Sequence, residues 1–450
     1  MPSDALFSHI VTTDELLEAT GPGAWLAALL DAEAALARAE ADTGVIPAEA
    51  AEAIAAACRA DLFDPEEIGR QARAGGNPVI PLVARLVERT GAGGKDFVHW
   101  GATSQDILDT AAVLVARRAG RIIADDLCSL ADGCAVLADR HRHSVMTGRT
   151  LLQPALPITF GFKAAGWLVG VTDCRGAVDR ALAGLAVQLG GATGTLASLG
   201  SAGPAVAAAF ARQLDLPEPV MPWHSSRQRM VALAAALGQA AGSAAKISGD
   251  VALLMQDEVA EAFEPAADCR GGSSTLPHKR NPVGAAAVGA AARRASALVG
   301  LFFGSLAGEH ERPLVAWPVE WQSLGELLAL AGGAVARTAE TVGGLEVDVA
   351  AMSGRAESLA GALLAERVSL VLAARMGRAE ARTAVAEAGR RASGTGAAQF
   401  AAALLTNTQV AAVLPAGELE EMLQPAGYLG ATGIWIDRAL AYHRGSETGD

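Results

Sequence analysis

The sequence contains few aromatic and few charged residues. Phenylalanine, tryptophan and tyrosine make up 4% of the 450 residues, and charged side chains make up 19%. Hydrophobic residues account for 51%, which excludes an intrinsically disordered chain. Alanine is abundant throughout. Because alanine has the highest helix propensity and lets helices approach closely, the composition predicts a folded protein made mainly of α-helices.

An excess of positive charge is also missing. The formal net charge is -13 at pH 7, and the sequence pI is near 5.2. Nucleic acids and anionic membrane surfaces attract basic proteins, so neither is expected as a partner. The longest uncharged stretch, residues 181–211, is interrupted by many glycines and by Pro204, and it is not typical of a membrane span. A small anionic substrate is compatible, because a pocket needs only a few local cations.

Cysteine is scarce, and its spacing matches no metal-binding motif. The chain has an odd number of cysteines, namely Cys58, Cys128, Cys134, Cys174 and Cys269. It begins Met1-Pro2-Ser3-Asp4, without the basic and apolar regions of a signal peptide. We therefore expect reduced thiols in the cytoplasm, no metal and no cofactor.

Helical periodicity divides the chain into three predicted helical domains. Residues 1–104 contain short helices, the clearest from Gly23 to Asp42 and from Ala48 to Arg59. Residues 348–450 form a small C-terminal helical domain. The central domain, residues 105–347, contains five long predicted helices at 105–140, 159–189, 229–262, 282–307 and 321–342. The expected fold class is all-α, with a central bundle of long helices.

One segment rich in glycine and serine carries chemical information beyond its composition. Residues 269–282 have the sequence CRGGSSTLPHKRNP. Glycines allow the backbone to approach a ligand closely, and Ser273 and Ser274 provide hydroxyl groups. Lys279 and Asn281 provide a positive charge and an amide two residues apart. Such a loop can hold a carboxylate while one hydroxyl exchanges a proton with carbon.

The same segment resembles the signature loop of the fumarase/aspartase superfamily, whose usual form is GSSxMPxKxN; this chain has Leu276 in place of the methionine. Two earlier segments resemble the other signature regions: HWGATSQD at 99–106 and GRTLLQ at 148–153. The resemblance implies a homotetramer with shared active sites, in which the five long helices of each subunit join a twenty-helix core.

The resemblance also implies roles for individual residues. Ser273 would be the base, and Lys279 and Asn281 would bind the carboxylate whose charge grows during the reaction. Other substrate contacts are expected at Thr103, Ser104, Arg149, Thr150, Gln153, Ser274, His278 and Arg312. Alternatives remain for some of these residues: helix capping for the Thr103 segment, surface salt bridges for the two arginines, and a structural role for His278.

Two residues that most members of the superfamily carry are replaced together. A histidine usually follows the threonine of the second region and pairs with a glutamate after the loop; here these positions are Leu151 and Ala286. The histidine helps to protonate the leaving group, so its loss suits a group that leaves unprotonated. A carboxylate meets this condition, because its conjugate acid has a pKa of about 4. His224 is a candidate replacement acid, with capping or packing as the alternative role.

The loss of this pair fits a cycloisomerase that opens or closes a lactone. Four strings resemble the 3-carboxy-cis,cis-muconate cycloisomerase family of protocatechuate catabolism, in the β-ketoadipate pathway: HWGATSQDILDT at 99–110, GRTLLQPALPITFGFKAAG at 148–166, PWHSSRQR at 222–229 and GGSSTLPHKRNPVGAA at 271–286. In that family a tryptophan is common at the position of Leu151. The implied reaction interconverts 3-carboxy-cis,cis-muconate and a carboxymuconolactone. Three alternatives remain: elimination of nitrite from nitrosuccinate, an adenylosuccinate lyase-like cleavage of a C–N bond, and a non-catalytic structural homologue.

Overall fold

The computed structural model describes residues 6–266, 271–272, 276, 279–392 and 396–448. These residues form α-helices, short 3-10 turns and two small antiparallel sheets, which confirms the expected all-α class. The first helices are α1 (Ser8–Val11), α2 (Asp14–Thr20), α3 (Pro22–Asp42), α4 (Ala48–Ala57), α5 (Pro65–Gly75) and α6 (Val79–Thr90). The sequence predicted α3 and α4 to within two residues at each end.

Long helices fill the middle of the chain, as predicted. They are α7 (Ser104–Arg140), α8 (Phe160–Ala183), α10 (Gln228–Leu254), α11 (Val283–Gly304) and α12 (Ala316–Gly343), with the shorter α9 (Gly203–Leu214) after α8. Two predicted C-terminal ends were wrong. Helix α8 ends at Ala183, just before Gly184, and α10 ends at Leu254. The positive φ of 49° at Ala260 shows that the chain is no longer helical as it approaches Ala262.

The strands were not predicted from the sequence. The first sheet is a hairpin of β1 (Val145–Thr150) and β2 (Gln153–Thr159), and the second pairs β3 (Ala262–Phe263) with β4 (Glu346–Val347). The register of the hairpin shifts between Thr147 and Arg149. The residue between them is Gly148, where a Cβ atom would lie 2.5 Å from the carbonyl oxygen of Leu156. A glycine is therefore required at this bulge.

Helices continue to the end of the described chain. They are α13 (Val349–Ser358), α14 (Ala360–Leu363), α15 (Ala365–Met376), α16 (Arg378–Arg391), α17 (Ala397–Leu405), α18 (Thr408–Val413), α19 (Ala416–Met422) and α20 (Thr432–Thr448). Leu372, Phe400, Leu414 and other buried side chains form one apolar cluster beneath α14 to α19. This cluster agrees with a helical C-terminal region that has its own core.

The chain separates into two compact units. One contains residues 1–128, 173–246 and 286–338, and the other contains residues 129–172, 247–285 and 339–450. Long helices such as α7 and α12 run through both. The three-domain division based on sequence remains a prediction.

Two apolar helical stretches, Gln228–Leu254 and Val283–Ala307, are long enough to cross a membrane by length and composition alone. Buried helices of water-soluble proteins share these properties, and 56% of the first apolar window is buried. No disulfide bond joins any two of the four cysteines that the structure describes, which are Cys58, Cys128, Cys134 and Cys174.

A buried acid in α3 makes the stability of the first unit depend on pH. Glu40 is fully buried, and neither of its carboxylate oxygens has a hydrogen-bond partner among the described residues. Burial, reinforced by the nearby charge of Glu33, raises the pKa of Glu40 from 4.5 to about 9. Between these values the folded protein holds a proton that the unfolded chain releases, so this residue lowers stability progressively as pH rises.

We expect Glu40→Gln to stabilise the protein at pH 7.5, by roughly 2 kcal/mol or more, and to have little effect at pH 4. Thermal unfolding across this pH range tests the expectation. Glu49→Gln, at an exposed position of α4, is the control and should change little. A gain for Glu40→Gln that does not vary with pH would contradict the assignment.

Candidate active site

The first signature region lies at the start of α7. Thr103 precedes the helix and Ser104 begins it, and both are half-buried. The cap comes from Asp106, whose Oδ2 accepts a hydrogen bond of 2.9 Å from the Thr103 backbone N–H. Within the described part of the chain, the hydroxyls of Thr103 and Ser104 have no hydrogen-bond partner. Since neither hydroxyl is used in a hydrogen bond to a described residue, both remain available to a carboxylate at the start of the helix.

Asp106 connects this turn to a distant loop. Its carboxylate is fully buried and accepts hydrogen bonds from the backbone N–H groups of Gly190 at 2.8 Å and Gly191 at 2.9 Å. The ring of His224 contributes a fourth contact, 2.7 Å from Nε2 to Oδ1. His224 is only 3% exposed, which excludes an open solvent-facing position.

Arg312 lies against the same glycine-rich loop. Its Nη2 donates to the carbonyl of Ala192 at 3.0 Å, and its buried Nε has no hydrogen-bond partner among the described residues. The nearby carbonyl of His310 accepts a hydrogen bond of 2.7 Å from the Ser225 hydroxyl. Among the described residues Arg312 therefore forms no salt bridge, and its Nε group is not hydrogen-bonded.

A buried ion network supports this region one helical turn further along α7. Arg227 is 1% exposed and donates to Asp109 at 2.8 Å and to Glu320 at 2.5 Å. The indole N–H of Trp317 also donates to Asp109, at 3.1 Å. Burial raises the pKa of Glu320, although Arg227 opposes the shift. Because these buried groups are hydrogen-bonded to one another, the network fixes the position of α7 without offering an open site.

His99 anchors the segment that leads into α7. It has a positive φ of 59°, and its Nδ1 lies 2.7 Å from the buried carboxylate of Glu33. Burial alone would lower the pKa of His99, but Glu33 raises it above its ordinary value. This ion pair gives His99 a structural role.

The second signature region forms the tip of the hairpin. Thr150 and Gln153 pair across it and are exposed, and between them Leu151 and Leu152 have positive φ values of 50° and 64°. Their exposed fractions are 98% and 70%. A leucine in this conformation costs about 1–2 kcal/mol, and two-residue hairpin turns normally use asparagine and glycine. Such an unfavourable, exposed turn is typical of a functional position.

Arg149 holds this hairpin to β3. Its two terminal nitrogens donate to the two carboxylate oxygens of Glu261, at 2.9 and 2.7 Å, and Glu261 is fully buried. The carbonyl of Glu261 also accepts from the N–H of Asp348 at 3.0 Å. The charge of Arg149 is thus matched inside the protein, which favours a structural role over the counter-charge role expected from the sequence.

We expect Arg149→Met to lower the free energy of unfolding by about 3–5 kcal/mol, because it leaves Glu261 buried without its partner. Arg59→Met breaks an exposed pair with Asp61 and should cost less than about 1 kcal/mol. Chemical denaturation of the two variants beside the wild type measures both losses. Equal, small losses would show that the Arg149 pair is not a structural anchor.

The base of the signature loop is described, although its centre is not. Ser273, Ser274 and His278 lie outside the described residues. The backbone N–H and the Nδ2 group of Asn281 both donate to the carbonyl of Gly271, at 2.8 and 3.0 Å, and so close the base of the loop. Lys279 is exposed and has no ion pair with any described acid.

Glu264, just after β3, orients the chain that follows the loop. Its carboxylate accepts from the N–H groups of Gly284 and Ala285, at 3.1 and 2.8 Å, at the start of α11. Arg280 binds Glu346 and the carbonyl of Glu264. The short strand β3 therefore lies between Glu261, which binds Arg149 of the hairpin, and Glu264, which binds the backbone that follows the signature loop.

Comparison with protein families identifies the group to which the chain belongs. A model described as "Lyase" matches residues 9–296, more than half of the chain, and one described as "Adenylosuccinate lyase C-terminus" matches residues 361–439. The chain belongs to this lyase family.

Relatives within the lyase family match almost the whole chain. The 3-carboxy-cis,cis-muconate cycloisomerase of Pseudomonas aeruginosa is 44% identical over 98% of this chain and 97% of its own. The nitrosuccinate lyase of Streptomyces davaonensis is 40% identical over 94% of this chain and 91% of its own. The crystal structure of 3-carboxy-cis,cis-muconate lactonizing enzyme from Pseudomonas putida superposes with a TM-score of 0.92 at 40% identity, covering 99% of this chain and all of that one. The fold is therefore that of the fumarase/aspartase superfamily.

The candidate residues of this lyase fall into two groups. Thr103, Ser104 and Arg312 belong to the first compact unit, and the hairpin tip with Lys279 and Asn281 belongs to the second. Among the described residues, no cluster of three or more histidine, cysteine, aspartate or glutamate side chains has the arrangement of a metal site.

Several supporting residues were missed by sequence reasoning. Asp106, Glu261 and Glu264 are fully or almost fully buried acids, each bound to backbone N–H groups or to an arginine. The only available signal was Asp106 as the third residue of a capping box. The two other acids lie in a segment expected to be helix and loop, so nothing singled them out.

Proposed function

We propose that the protein is a cycloisomerase that interconverts 3-carboxy-cis,cis-muconate and a carboxymuconolactone. The observation that carries the proposal is the identity of 44% to a 3-carboxy-cis,cis-muconate cycloisomerase over nearly the full length of both chains. The hairpin tip supports it, because an apolar Leu151 replaces the histidine acid of most superfamily members. The small-molecule substrate is a polycarboxylate of the aromatic-catabolic protocatechuate branch.

The reaction can proceed without a general acid at the leaving group. In the lactone-forming direction, one carboxylate oxygen of the substrate adds to the conjugated double bond. The electron pair moves towards a second carboxylate and forms an enediolate, which then takes a proton on carbon from the Ser273 hydroxyl. In reverse, Ser273 removes that proton and the ring carboxylate leaves as an anion, which is stable because its acid has a pKa of about 4.

Residue roles follow from where charge develops. Lys279 stabilises the enediolate, with Asn281 shaping the loop around it, and cations next to growing negative charge lower the barrier. Thr103, Ser104 and Arg312 bind the other carboxylates, assisted by Thr150 and Gln153 at the hairpin tip. Ser274 and His278 complete the loop. Arg149 contributes by holding the hairpin through Glu261.

The proposal includes the assembly implied by the superfamily: a cytoplasmic homotetramer with shared active sites. An exposed hairpin tip with two leucines at positive φ supports it, since burial against another subunit would offset the cost of that turn. Size-exclusion chromatography with light scattering measures the assembly. A monomer that is fully active would contradict shared sites.

A second candidate is elimination of nitrite from nitrosuccinate. The nitrosuccinate lyase of Streptomyces davaonensis is 40% identical to this chain, and this identity is close to the 44% of the cycloisomerase of Pseudomonas aeruginosa. Nitrite also leaves as an anion without protonation, so the missing histidine suits both reactions.

An ultraviolet assay separates the two candidates. Purified protein is mixed with 3-carboxy-cis,cis-muconate while the absorbance of the conjugated diene is followed, and with nitrosuccinate while released nitrite is measured. We expect rapid loss of the diene and little nitrite. Efficient nitrite release with a stable diene would replace the proposed function by the second candidate.

A further inference from the structure

We infer that His224 is a positioning residue that holds the carboxylate-binding turn at Thr103 and Ser104 through Asp106. This inference rests on the proposed function only for its kinetic consequence; the structural link can be tested without a substrate. Asp106 is the centre of the link, because its fully buried carboxylate joins segments that are far apart in sequence.

Both carboxylate oxygens of Asp106 have hydrogen-bond partners. Oδ2 accepts from the N–H groups of Thr103 and Gly191, both at 2.9 Å, and Oδ1 accepts from Gly190 at 2.8 Å and faces His224 Nε2 at 2.7 Å. Since Oδ1 already accepts a backbone N–H, the histidine nitrogen that faces it is a donor. His224 is therefore the only side chain among these four donors.

Close packing makes the ring of His224 part of the same arrangement. A Cβ atom on Gly190 would lie 2.9 Å from Cε1 of His224, and one on Gly191, whose φ is +68°, would lie 3.1 Å from the carbonyl of Gly101. The glycine pair is thus held between the imidazole and the backbone just before Thr103. A shift of the ring would move the glycine loop, and with it the turn.

His224 is itself held firmly. Its carbonyl accepts from Gln105 Nε2 at 2.9 Å, and the N–H of the preceding Trp223 donates to Gln188 Oε1 at 2.9 Å. The following Ser225 binds the carbonyl of His310, two residues before Arg312. The same short segment therefore supports both the turn at Ser104 and the chain that carries Arg312.

This geometry favours positioning over the proton-donating role considered for His224 from the sequence. The Nε2 proton is used in the bond to Asp106, and the ring is 3% exposed. A group that holds a carboxylate cradle contributes equally to binding of substrate and transition state. Its loss is then expected to raise KM while leaving kcat almost unchanged.

Two amide variants test the inference with matched polarity. His224→Gln places an amide N–H close to the position of Nε2, whereas the shorter His224→Asn does not reach Asp106. Hydrogen–deuterium exchange of the peptides that contain residues 103–106 and 190–191 is measured for both. We expect faster exchange in His224→Asn and protection close to wild type in His224→Gln, since only the latter restores a donor to Asp106.

Kinetics provide the second readout. We expect His224→Asn to raise KM for 3-carboxy-cis,cis-muconate about 10- to 100-fold, as loss of a hydrogen bond to a charged group does, with kcat within about threefold. His224→Gln should restore most of the KM. His443→Asn is the matched control, because His443 pairs with Asp132 at 2.9 Å in the other unit. It should alter the melting temperature without changing KM or exchange at these peptides.

The outcomes separate this inference from the proposed function. If the wild type does not convert the substrate, the proposed function is wrong. The hydrogen–deuterium exchange experiment then tests by itself whether His224 holds the turn at Thr103 and Ser104 through Asp106. If the wild type is active but the two variants exchange alike and share one KM, His224 is not a positioning residue. Should His224→Asn not fold, His224→Met fills the volume of the ring without a donor and takes its place in the same comparison.

Discussion

Replacing Ser273 by alanine is expected to lower kcat by about 10³-fold or more while the fold stays intact, because this hydroxyl group transfers the proton to and from carbon. Binding should suffer far less, since the carboxylate contacts come from other residues. Steady-state kinetics measures the effect, and circular dichroism and the melting temperature confirm folding.

Ser274→Ala is the matched control for this experiment. The two serines are neighbours in the same loop, so a general disturbance of the loop would affect both variants. We expect the fold reduction in kcat of Ser274→Ala to be less than one tenth of the fold reduction in kcat of Ser273→Ala. Comparable losses, or a Ser273→Ala variant with nearly wild-type kcat, would exclude Ser273 as the base.

Lys279→Met is expected to lower kcat/KM by about 10²- to 10³-fold, the range typical of losing one group that stabilises growing negative charge. Lys279 is exposed and pairs with none of the acids that the structure describes, so its charge is available to the substrate. Its neighbour Arg280 is by contrast committed to Glu346. Kinetics over a range of substrate concentrations shows whether the loss falls on kcat as well as KM.

Lys95→Met provides the matched control, because it removes the same charge from an exposed position outside the proposed site. Its kinetics should equal those of the wild type. A similar loss in both variants would point to the overall charge of the protein. An unchanged rate in Lys279→Met would remove the lysine from the mechanism.

The long helices were predictable because their cause is local. Alanine-rich segments with apolar residues at helical spacing form helices wherever they lie, so α3, α7 and α11 begin within one residue of their predicted starts. The ends of α8 and α10 were misplaced, and the chain beyond each of them makes long-range contacts that no local pattern records. After α8, the backbone N–H of Val187 donates to the carbonyl of Pro217 at 3.2 Å. Beyond α10, the chain turns so that Glu261 reaches Arg149 in the hairpin, more than 100 positions away in sequence.

The hairpin was not predictable either, because its local sequence is not typical of a β-hairpin. Its strands contain prolines and a glycine bulge rather than alternating polar and apolar residues, and its turn uses two leucines in place of asparagine and glycine. Only the resemblance of GRTLLQ to a signature region marked this segment as functional. The structure adds that Leu151 is almost fully exposed at its tip.

Local motifs single out candidate site residues, but they do not indicate which residues support them. Thr103, Ser104, Lys279 and Asn281 were found through motifs, and their roles remain proposals. The support given by Asp106 and His224 depends on a contact that spans 118 positions of the sequence, which no local pattern records. Arg149 illustrates the converse: its motif indicated a ligand contact, and the structure places its charge on Glu261.

The central claim is most directly tested by incubating the purified protein with 3-carboxy-cis,cis-muconate in deuterated water and following the products by nuclear magnetic resonance. The proposed mechanism predicts a carboxymuconolactone with one deuterium, on the carbon next to the carboxylate that becomes the enediolate during the reaction. The wild type forms this product and Ser273→Ala does not. Unchanged 3-carboxy-cis,cis-muconate in the presence of folded wild-type protein, or a lactone formed at the same rate by both proteins, would contradict it.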